Sequence, residues 1–173
     1  MTSEELFDVV DEQDSVIDVL PRSEVHRQKL RHRACHIFVF RPDGRLLIHK
    51  RADNKEEFPS VWTSSASGHV SSGESYQLSA RRELEEELGI TAELTFALKV
   101  SACPDTCNEF THLFTAVSEA DVSPDPAEIT AIAWVTADEL QQQLSAGRTE
   151  ADRQFSPAFR LLYARYQGQQ QPQ

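Results

Sequence analysis

The segment from Tyr76 to Leu88 constrains the fold more than any other part of the chain, because its residue pattern predicts a single amphipathic α-helix. Ser75 precedes it and suits an N-cap, while Gly89 follows it and suits the left-handed residue that ends many helices. Apolar residues recur every four positions, at Tyr76, Ala80, Leu84 and Leu88. This stripe predicts that one side of the helix packs against a core.

Three carboxylates share another face of the same helix. An α-helix turns by about 100° per residue, so Glu87 lies about 40° from Glu83, and Glu86 lies about 60° away on the other side. Glu85 points in the opposite direction. Acids near a helix C-terminus oppose the helix dipole and repel one another. Either solvent covers this acidic face, or a divalent metal binds its carboxylate oxygens and keeps further positions for water and phosphate.

The residues before and after the helix extend this pattern. From Gly68 the sequence continues with five residues, Glu74, seven residues, and then Arg82-Glu83-Leu84-Glu85-Glu86-Glu87-Leu88-Gly89-Ile90. Every fixed position resembles the signature of the Nudix hydrolase superfamily, and this match is far more specific than a lone glycine-rich loop. The resemblance implies an α/β class fold, an α/β/α sandwich around a mixed central sheet.

The same resemblance implies a metal-dependent reaction, the hydrolysis of a small diphosphate that is linked to another group. Metal ligands would be the backbone carbonyl of Gly68 and the side chains of Glu83, Glu86 and Glu87, and the metal would be Mg²⁺ or Mn²⁺. Such a metal neutralises phosphate oxygens and lowers the pKa of the attacking water. Arg82 would orient Glu83, and Glu74 would give a supporting hydrogen bond.

A wider resemblance covers about residues 5 to 165 and connects the chain to isopentenyl-diphosphate isomerases and their Nudix relatives. The residues that carry it are the N-terminal hairpin, Leu30-Arg31-His32-Arg33-Ala34, Phe58-Pro59-Ser60-Val61-Trp62-Thr63 and Ser67-Gly68-His69. It implies that His32 and His69 match metal-binding histidines and that Glu109 matches a catalytic, metal-binding glutamate. In a hydrolase, Glu109 or a loop carboxylate would serve as the base.

Ser67 separates this chain from the isomerases, which carry an essential cysteine before the glycine-histidine pair. A serine hydroxyl without a partner base is a poor substitute for a thiol in proton transfer. We therefore expect hydrolysis and keep isomerisation as the alternative. A binding module with the same fold but no turnover is a third possibility, although such modules typically lack a carboxylate of the signature, and none is missing here.

The remaining pattern predicts the other elements and the domain organisation. We expect a single domain over residues 1–166, which begins with a hairpin, and a disordered, Gln-rich tail over residues 167–173. The predicted strands are Leu6–Val10, Val16–Val19, Ala34–Phe40, Arg45–His49, Ala92–Ser101, Glu109–Val117 and Ile129–Val135. The predicted helices are a short one from Pro21 to about Gln28, the central one, Thr136–Leu144 and Ser156–Tyr166.

Composition limits the classes of ligand and the cellular compartment that we expect. A formal net charge of −11 argues against a nucleic-acid polymer as the ligand, because backbone binding needs a surplus of Lys and Arg. The N-terminus is acidic and polar, and no apolar run approaches the roughly 20 residues that cross a bilayer. We expect a cytoplasmic protein without a membrane partner that acts on a small diphosphate; the oligomeric state stays open.

Several residues permit two interpretations. Cys103 and Cys107 have a metal-site spacing, but no second Cys/His pair lies nearby, so structural cysteines are the default. His36 and His49 alternate with apolar residues, which favours surface or packed positions over chemistry. Trp62 either stacks on a substrate or belongs to the core. Three basic residues either meet phosphates or are solvated, namely Lys50, Arg51 and Lys55.

Overall fold

The computed structural model describes residues 4–145 and 154–170, which contain two sheets and four α-helices. The strands are β1 (Leu6–Val10), β2 (Val16–Pro21), β3 (His32–Phe40), β4 (Leu46–Arg51), β5 (Trp62–Thr63), β6 (Ala66–His69), β7 (Thr95–Val100), β8 (Glu109–Val117) and β9 (Ile129–Val135). The helices are α1 (Arg22–Gln28), α2 (Tyr76–Leu88), α3 (Ala137–Ser145) and α4 (Pro157–Gln170). Within these residues, no helix has both the length and the apolar content that a bilayer span requires.

The central sheet divides between β3 and β4. These two strands pair directly beside their turn, at Phe40 and Leu46. Farther along, β6 pairs with β3 and β5 pairs with β4, so the segment that contains β5 and β6 lies between them. The hydroxyl of Ser65 donates to the carbonyl of Leu47 at 2.6 Å and accepts from the amide of Val39 at 2.7 Å. Ser65 thus joins the two strands that this segment separates.

The sheet is mixed, and helices cover both of its faces. β3 runs parallel to β8, whereas the pairs β4–β9 and β7–β8 are antiparallel. On one face, α2 packs with Ala80, Leu84 and Leu88 against the strands. On the other face, α3 and α4 pack against them, with Leu140 and Phe159 in the core. This arrangement confirms the predicted α/β/α sandwich with a mixed central sheet.

The N-terminal hairpin is fastened to the sandwich by its turn. β1 and β2 are antiparallel, as predicted. The carboxylate of Asp14, in the turn, accepts from Arg33 Nε at 2.6 Å and from the hydroxyl of Tyr76 at 2.9 Å. Phe7 of β1 packs with Val25 of α1 in a small hydrophobic core that is separate from those of the sandwich. The hairpin is therefore held by both β3 and α2.

Several element boundaries differ by one or two residues from those that the pattern predicts, and two differ by more. β7 begins at Thr95 rather than at Ala92, because Leu94 is buried in the core beside α2 and the chain before it is not paired. α4 continues to Gln170, so the helix includes residues 167–170 of the segment that the sequence predicts to be disordered. Residues 171–173 of that predicted tail lie outside the described residues.

Candidate metal centre and substrate cavity

A cavity of about 420 Å³ opens where β3 and β4 diverge. Its wall combines residues of β3, β6, α2 and β8 with residues of the loop that follows β4. A volume of this size is typical of sites for small molecules. The carboxylates of α2 and the histidine-glutamate pair His69 and Glu109 line the same cavity.

The local sequence places the α2 carboxylates at this wall. The hydroxyl of Ser75 accepts from the amide of Leu78 at 3.2 Å, and Gly89 ends the helix with a φ of 66°. The apolar stripe of α2 faces the core, which turns Glu83, Glu86 and Glu87 toward the cavity. Glu87 is buried, whereas the side chain of Glu86 is 60% exposed.

Arg82 connects these carboxylates to the loop before the helix. Its guanidinium donates to both oxygens of Glu74, at 3.1 and 3.0 Å. It also donates to Glu83 at 2.6 Å and to Glu86 at 3.2 Å. A fifth bond, of 3.2 Å, runs to the backbone carbonyl of His69. Arg82 can hold all of these groups at once because a guanidinium carries five donors in a fixed plane.

Strand β6 comes very close to α2. A Cβ atom at Gly68 would lie 2.1 Å from the carboxyl carbon of Glu83, so any side chain at this position would displace the Glu83 carboxylate. The amide of Ser67 donates to the carboxylate of Glu87 at 3.0 Å. The backbone of β6 therefore lies directly against two of the three carboxylates that α2 turns toward the cavity.

Burial disfavours the ionised form of two of these carboxylates when no metal is bound. It raises the pKa of Glu83 to about 7, although Arg82 partly offsets the effect. Burial and the neighbouring charge of Glu83 raise the pKa of Glu87 to about 8. Two buried acids this close together are an arrangement that a cation relieves.

Three histidines and Glu109 form a second cluster in the same region. The ring nitrogens Nε2 of His69 and His32 lie 3.0 and 3.4 Å from Oε1 of Glu109. His26 joins them from α1, and one ligand atom each of His26, His32 and His69 lies within 4.8 Å of the others. One ligand atom each of Glu57, His69 and Glu109 also lies within 4.8 Å of the others.

The charges in this cluster favour an ionised glutamate. Burial opposes ionisation of Glu109, but the contacts with His32 and His69 outweigh it and hold its pKa well below the ordinary range. Burial lowers the pKa of His26, and the other two histidines add to this effect. His26 is therefore neutral at pH 7, the form of imidazole that binds metals.

Phe7 of the hairpin supports the three histidines. Its ring is fully buried and stacks on His32 with a centroid distance of 5.5 Å. The centroids of His69 and His26 lie 4.8 and 5.8 Å away. The hairpin thus provides an apolar support for the cluster.

Basic residues also line the cavity. They are Arg22, Arg51 and Lys55. Lys55 forms an ion pair with Glu128, and Arg51 donates to the backbone carbonyl of Glu57 at 3.1 Å. Lys50 is not among the lining residues. Phosphate oxygens bound in this cavity would meet both cations and the acidic centre in its lining.

The structure brings together most of the residues that the sequence singles out. Gly68, Glu83, Glu86, Glu87, Arg82, His69 and Glu109 line the cavity, and His32 lies against Glu109. Sequence reasoning missed His26 and Glu57 as members of the cluster, because one lies on a short helix and the other in a loop. No local spacing indicates their approach to β3 and β8; a histidine six positions before His32 was the only available signal.

The residues with two interpretations are placed in different surroundings. Trp62 packs at the edge of the core that α4 covers. His49 is buried and contacts the carbonyl of Ser65 at 2.9 Å. Cys103 and Cys107 are free thiols, and burial raises the pKa of Cys107 to about 12. His36 is also buried, but its ring lines the cavity.

Two observations indicate that these donor sets fit metal ions. Nε2 of His26 is buried and has no hydrogen-bond partner among the described residues, and Nε2 of His32 is buried with only its 3.4 Å contact to Glu109. Buried polar atoms are normally satisfied, so a ligand is the simplest partner for them. The α2 set offers only oxygen donors, which suit Mg²⁺ or Mn²⁺, whereas the histidine cluster offers imidazole nitrogens, which suit transition metals.

The chain is similar in sequence to known proteins. The chain is 38% identical over 138 residues to an uncharacterized Nudix hydrolase of Yersinia pestis, which covers 79% of this chain and 75% of that protein. It is 33% identical over 145 residues to an isopentenyl-diphosphate Delta-isomerase of Serratia proteamaculans, which covers 81% of each chain.

A solved structure and a family model also match this chain. The crystal structure of DR0079 from Deinococcus radiodurans superposes with a TM-score of 0.79 at 26% identity, covering 93% of this chain and 98% of that one. The model of the NUDIX domain matches residues 30–159. Three quarters of the chain, including every residue of the acidic signature, fall within this match, and the chain belongs to the Nudix family.

Proposed function

We propose that this protein is a metal-dependent pyrophosphohydrolase that cleaves a small diphosphate compound. The observation that carries the proposal is a single cavity whose lining contains three carboxylates of α2 and two basic residues, namely Glu83, Glu86, Glu87, Arg51 and Lys55. Anionic ligands for a hard cation and cations for phosphate oxygens therefore line one space of the size of a small substrate.

Glu83, Glu86, Glu87 and the carbonyl of Gly68 would hold Mg²⁺ or Mn²⁺. When bound, the metal supplies charge neutralisation of phosphate oxygens and lowers the pKa of the attacking water. Arg82 keeps Glu83 and Glu86 in place, and its bidentate pair with Glu74 fixes the guanidinium. Arg51 and Lys55 bind and orient the diphosphate.

We assign Glu109 a metal-binding role rather than that of the general base. A good base at neutral pH has a pKa near 7, whereas contacts with His32 and His69 hold the pKa of Glu109 far below that value. The cluster of His26, His32, His69 and Glu109 would bind a second divalent metal through nitrogen and oxygen ligands. The unpartnered Nε2 atom of His26 supports this assignment.

Isomerisation of isopentenyl diphosphate is the second candidate, because the histidine cluster lies beside Ser67 and the chain has isomerase relatives. Ser67 weighs against it. Among the described residues its hydroxyl makes no hydrogen bond, and the carboxylate of Glu87 accepts from its backbone amide instead. A hydroxyl with an ordinary, high pKa does not exchange a proton with carbon efficiently.

A panel of diphosphate compounds tests the proposal. The compounds, including isopentenyl diphosphate, are incubated with protein and Mg²⁺, and the products are identified by mass spectrometry. Glu86→Gln should reduce turnover by about 100-fold or more, since one carboxylate ligand is lost. Glu85→Gln is the matched control, because Glu85 is exposed on the other side of α2.

Each outcome has a clear meaning. Phosphate or nucleoside monophosphate released by wild type and by Glu85→Gln, but not by Glu86→Gln, supports the hydrolase. An isomerised product without cleavage supports the isomerase. A protein that binds these compounds without converting any of them is a binding module, and the proposal is then wrong.

A further inference from the structure

The buried end of the cavity is lined by neutral polar groups. Thr63 and Ser156 are both buried, and their hydroxyl oxygens lie 3.0 Å apart. His36 is also buried, belongs to the same lining and contacts Ser64, the residue after Thr63. Among the described lining residues, the purely hydrocarbon side chains are those of Ala34, Phe58 and Ala158. An apolar substrate group would find few apolar partners here.

His36 reaches this end from strand β3. It lies on the same face of the strand as His32 and Ala34, because side chains alternate along a strand. Ala34 lies between His32 and His36 on this face, has a small side chain, and itself lines the cavity. The backbone of His36 pairs with that of Ser67, the residue before Gly68. The ring of His36 therefore belongs to the same cavity as the metal-binding carboxylates, but it is not part of either metal cluster.

One nitrogen of this ring is held by the protein and the other is available. Nδ1 of His36 lies 2.6 Å from the hydroxyl of Ser64, which is itself fully buried. This is the hydrogen bond that the described residues give to the ring. Burial lowers the pKa of His36 to about 4, so the ring is neutral at pH 7. A neutral imidazole offers one donor and one acceptor.

A hydroxyl group is the natural partner of such a ring. Since the Ser64 hydroxyl can rotate, Nε2 of His36 can be either the donor or the acceptor, and a substrate hydroxyl can match both states. The hydroxyls of Thr63 and Ser156 offer further partners. A hydrocarbon in this place would leave Nε2 buried without a partner, which is costly.

We propose that His36 is a specificity-determining residue that binds a hydroxyl-bearing group, such as a sugar, attached to the diphosphate. The inference rests on the proposed hydrolase function and deepens it. It excludes isoprenoid diphosphates as the preferred substrates, since their tails present only hydrocarbon. Ser64 is a positioning residue, because it acts by holding the His36 ring.

The test compares two substrate classes in three variants. ADP-ribose and UDP-glucose represent diphosphates with sugar hydroxyls, and isopentenyl and geranyl diphosphate represent hydrocarbon diphosphates. The measured quantity is kcat/KM for each compound with Mg²⁺. Variants are His36→Phe, which keeps a ring without hydrogen-bonding groups, His36→Gln, whose amide can take the place of Nε2, and Ser64→Ala. His49→Gln is the matched control, because His49 is a buried histidine outside the cavity lining.

Wild type should prefer a sugar compound by about 10-fold or more, as expected for one buried hydrogen bond. His36→Phe should lower kcat/KM for the sugar compound by about 10-fold to 100-fold and raise it for the hydrocarbon compounds, because no buried nitrogen is then left without a partner. His36→Gln should show most of the wild-type preference for sugar compounds over hydrocarbon compounds. Ser64→Ala should lose part of this preference, and His49→Gln should keep it. A wild-type preference for hydrocarbon, or an equal loss for both classes, overturns the proposal.

Binding measurements separate this inference from the proposed function. Calorimetric Kd values for the same compounds are measured with wild type, His36→Gln and Ser64→Ala, in Ca²⁺. If nothing is hydrolysed but sugar compounds bind preferentially, and Ser64→Ala weakens that binding by about threefold or more, the hydrolase proposal fails and the role of His36 stands. If sugar compounds bind no more tightly than hydrocarbon compounds, the role of His36 is wrong whatever the hydrolysis assay shows.

Discussion

The carboxyl carbon of Glu83 lies 2.1 Å from the point at which a side chain on Gly68 would begin. β6 and α2 therefore meet without any intervening side chain, and the backbone of β6 helps to form the candidate metal site. The same approach brings the amide of Ser67 within 3.0 Å of Glu87. The position of β6 therefore constrains the positions of the Glu83 and Glu87 side chains of α2.

Gly68→Ala should displace Glu83 and weaken the metal site. The new methyl group cannot share space with the carboxylate, so we expect Mg²⁺ or Mn²⁺ affinity to fall by about 10-fold or more. A calorimetric Mn²⁺ titration measures the change. Gly168→Ala is the control, because a Cβ on α4 would meet open space; it should leave metal affinity unchanged and raise stability by about 0.5–1 kcal/mol. Wild-type affinity in Gly68→Ala would exclude Glu83 as a ligand.

The metal-free protein should lose stability as the pH rises from about 4.5 to about 8. The pKa of Glu87 is about 8 in the folded protein and 4.5 ordinarily, so the folded state retains a proton that the unfolded chain releases. Glu83, with a pKa of about 7, acts in the same direction. Metal binding requires both groups to be ionised, so the rise in Tm caused by Mg²⁺ should increase over the same pH interval.

Thermal unfolding across this pH range, with chelator and with Mg²⁺, measures both effects. Glu87→Gln removes one of the two proton sites and should reduce the slope of Tm against pH in the metal-free protein. Glu85→Gln should leave the slope as it is in wild type. If the slope of Glu87→Gln equals that of wild type, Glu87 does not carry the raised pKa.

Phe7→Leu should weaken metal binding by the histidine cluster as well as stability. Its ring is in contact with His26, His32 and His69, so a smaller side chain lets these rings move. The free energy of unfolding should fall by less than the about 3–5 kcal/mol that loss of a whole buried Phe side chain costs. We expect Co²⁺ affinity, followed by visible absorption in a Glu86→Gln background, to fall by about 10-fold.

Phe159→Leu provides the comparison for that experiment, because Phe159 is equally buried but lies in the core beside α4. It should lower stability to a similar extent and leave Co²⁺ affinity unchanged. An equal loss of affinity in both variants would mean that general destabilisation, and not support by Phe7, explains the effect.

Local signals allowed much of the fold to be predicted. The bounds of α2 are those expected from Ser75 and Gly89, because both caps act on the residues next to them in sequence. β8 and β9 also have their predicted bounds. The end of α4 was predicted wrongly, since a Gln-rich composition gives no sign of where a packed helix stops.

Non-local relationships were beyond the sequence. The insertion of β5 and β6 between β3 and β4 depends on pairing between distant strands, and it creates the cavity. His26 reaches the cluster only because α1 packs over β1 and places it beside His32. His36 looked like a packed residue because it alternates with apolar neighbours, and its access to the cavity depends on the small side chain of Ala34.

Ser67→Ala should leave hydrolysis within about twofold of wild type. The contact that Ser67 makes with Glu87 comes from its backbone amide, which alanine retains. Its hydroxyl makes no hydrogen bond among the described residues, so its removal should cost neither a proton acceptor nor a metal ligand. Steady-state kcat and KM on the best substrate from the diphosphate panel measure the effect, with Ser67→Cys assayed in parallel for isomerisation. A large loss of kcat in Ser67→Ala would instead give the hydroxyl a part in the reaction, and isomerase activity gained by Ser67→Cys would mean that the thiol is the one group separating the two chemistries.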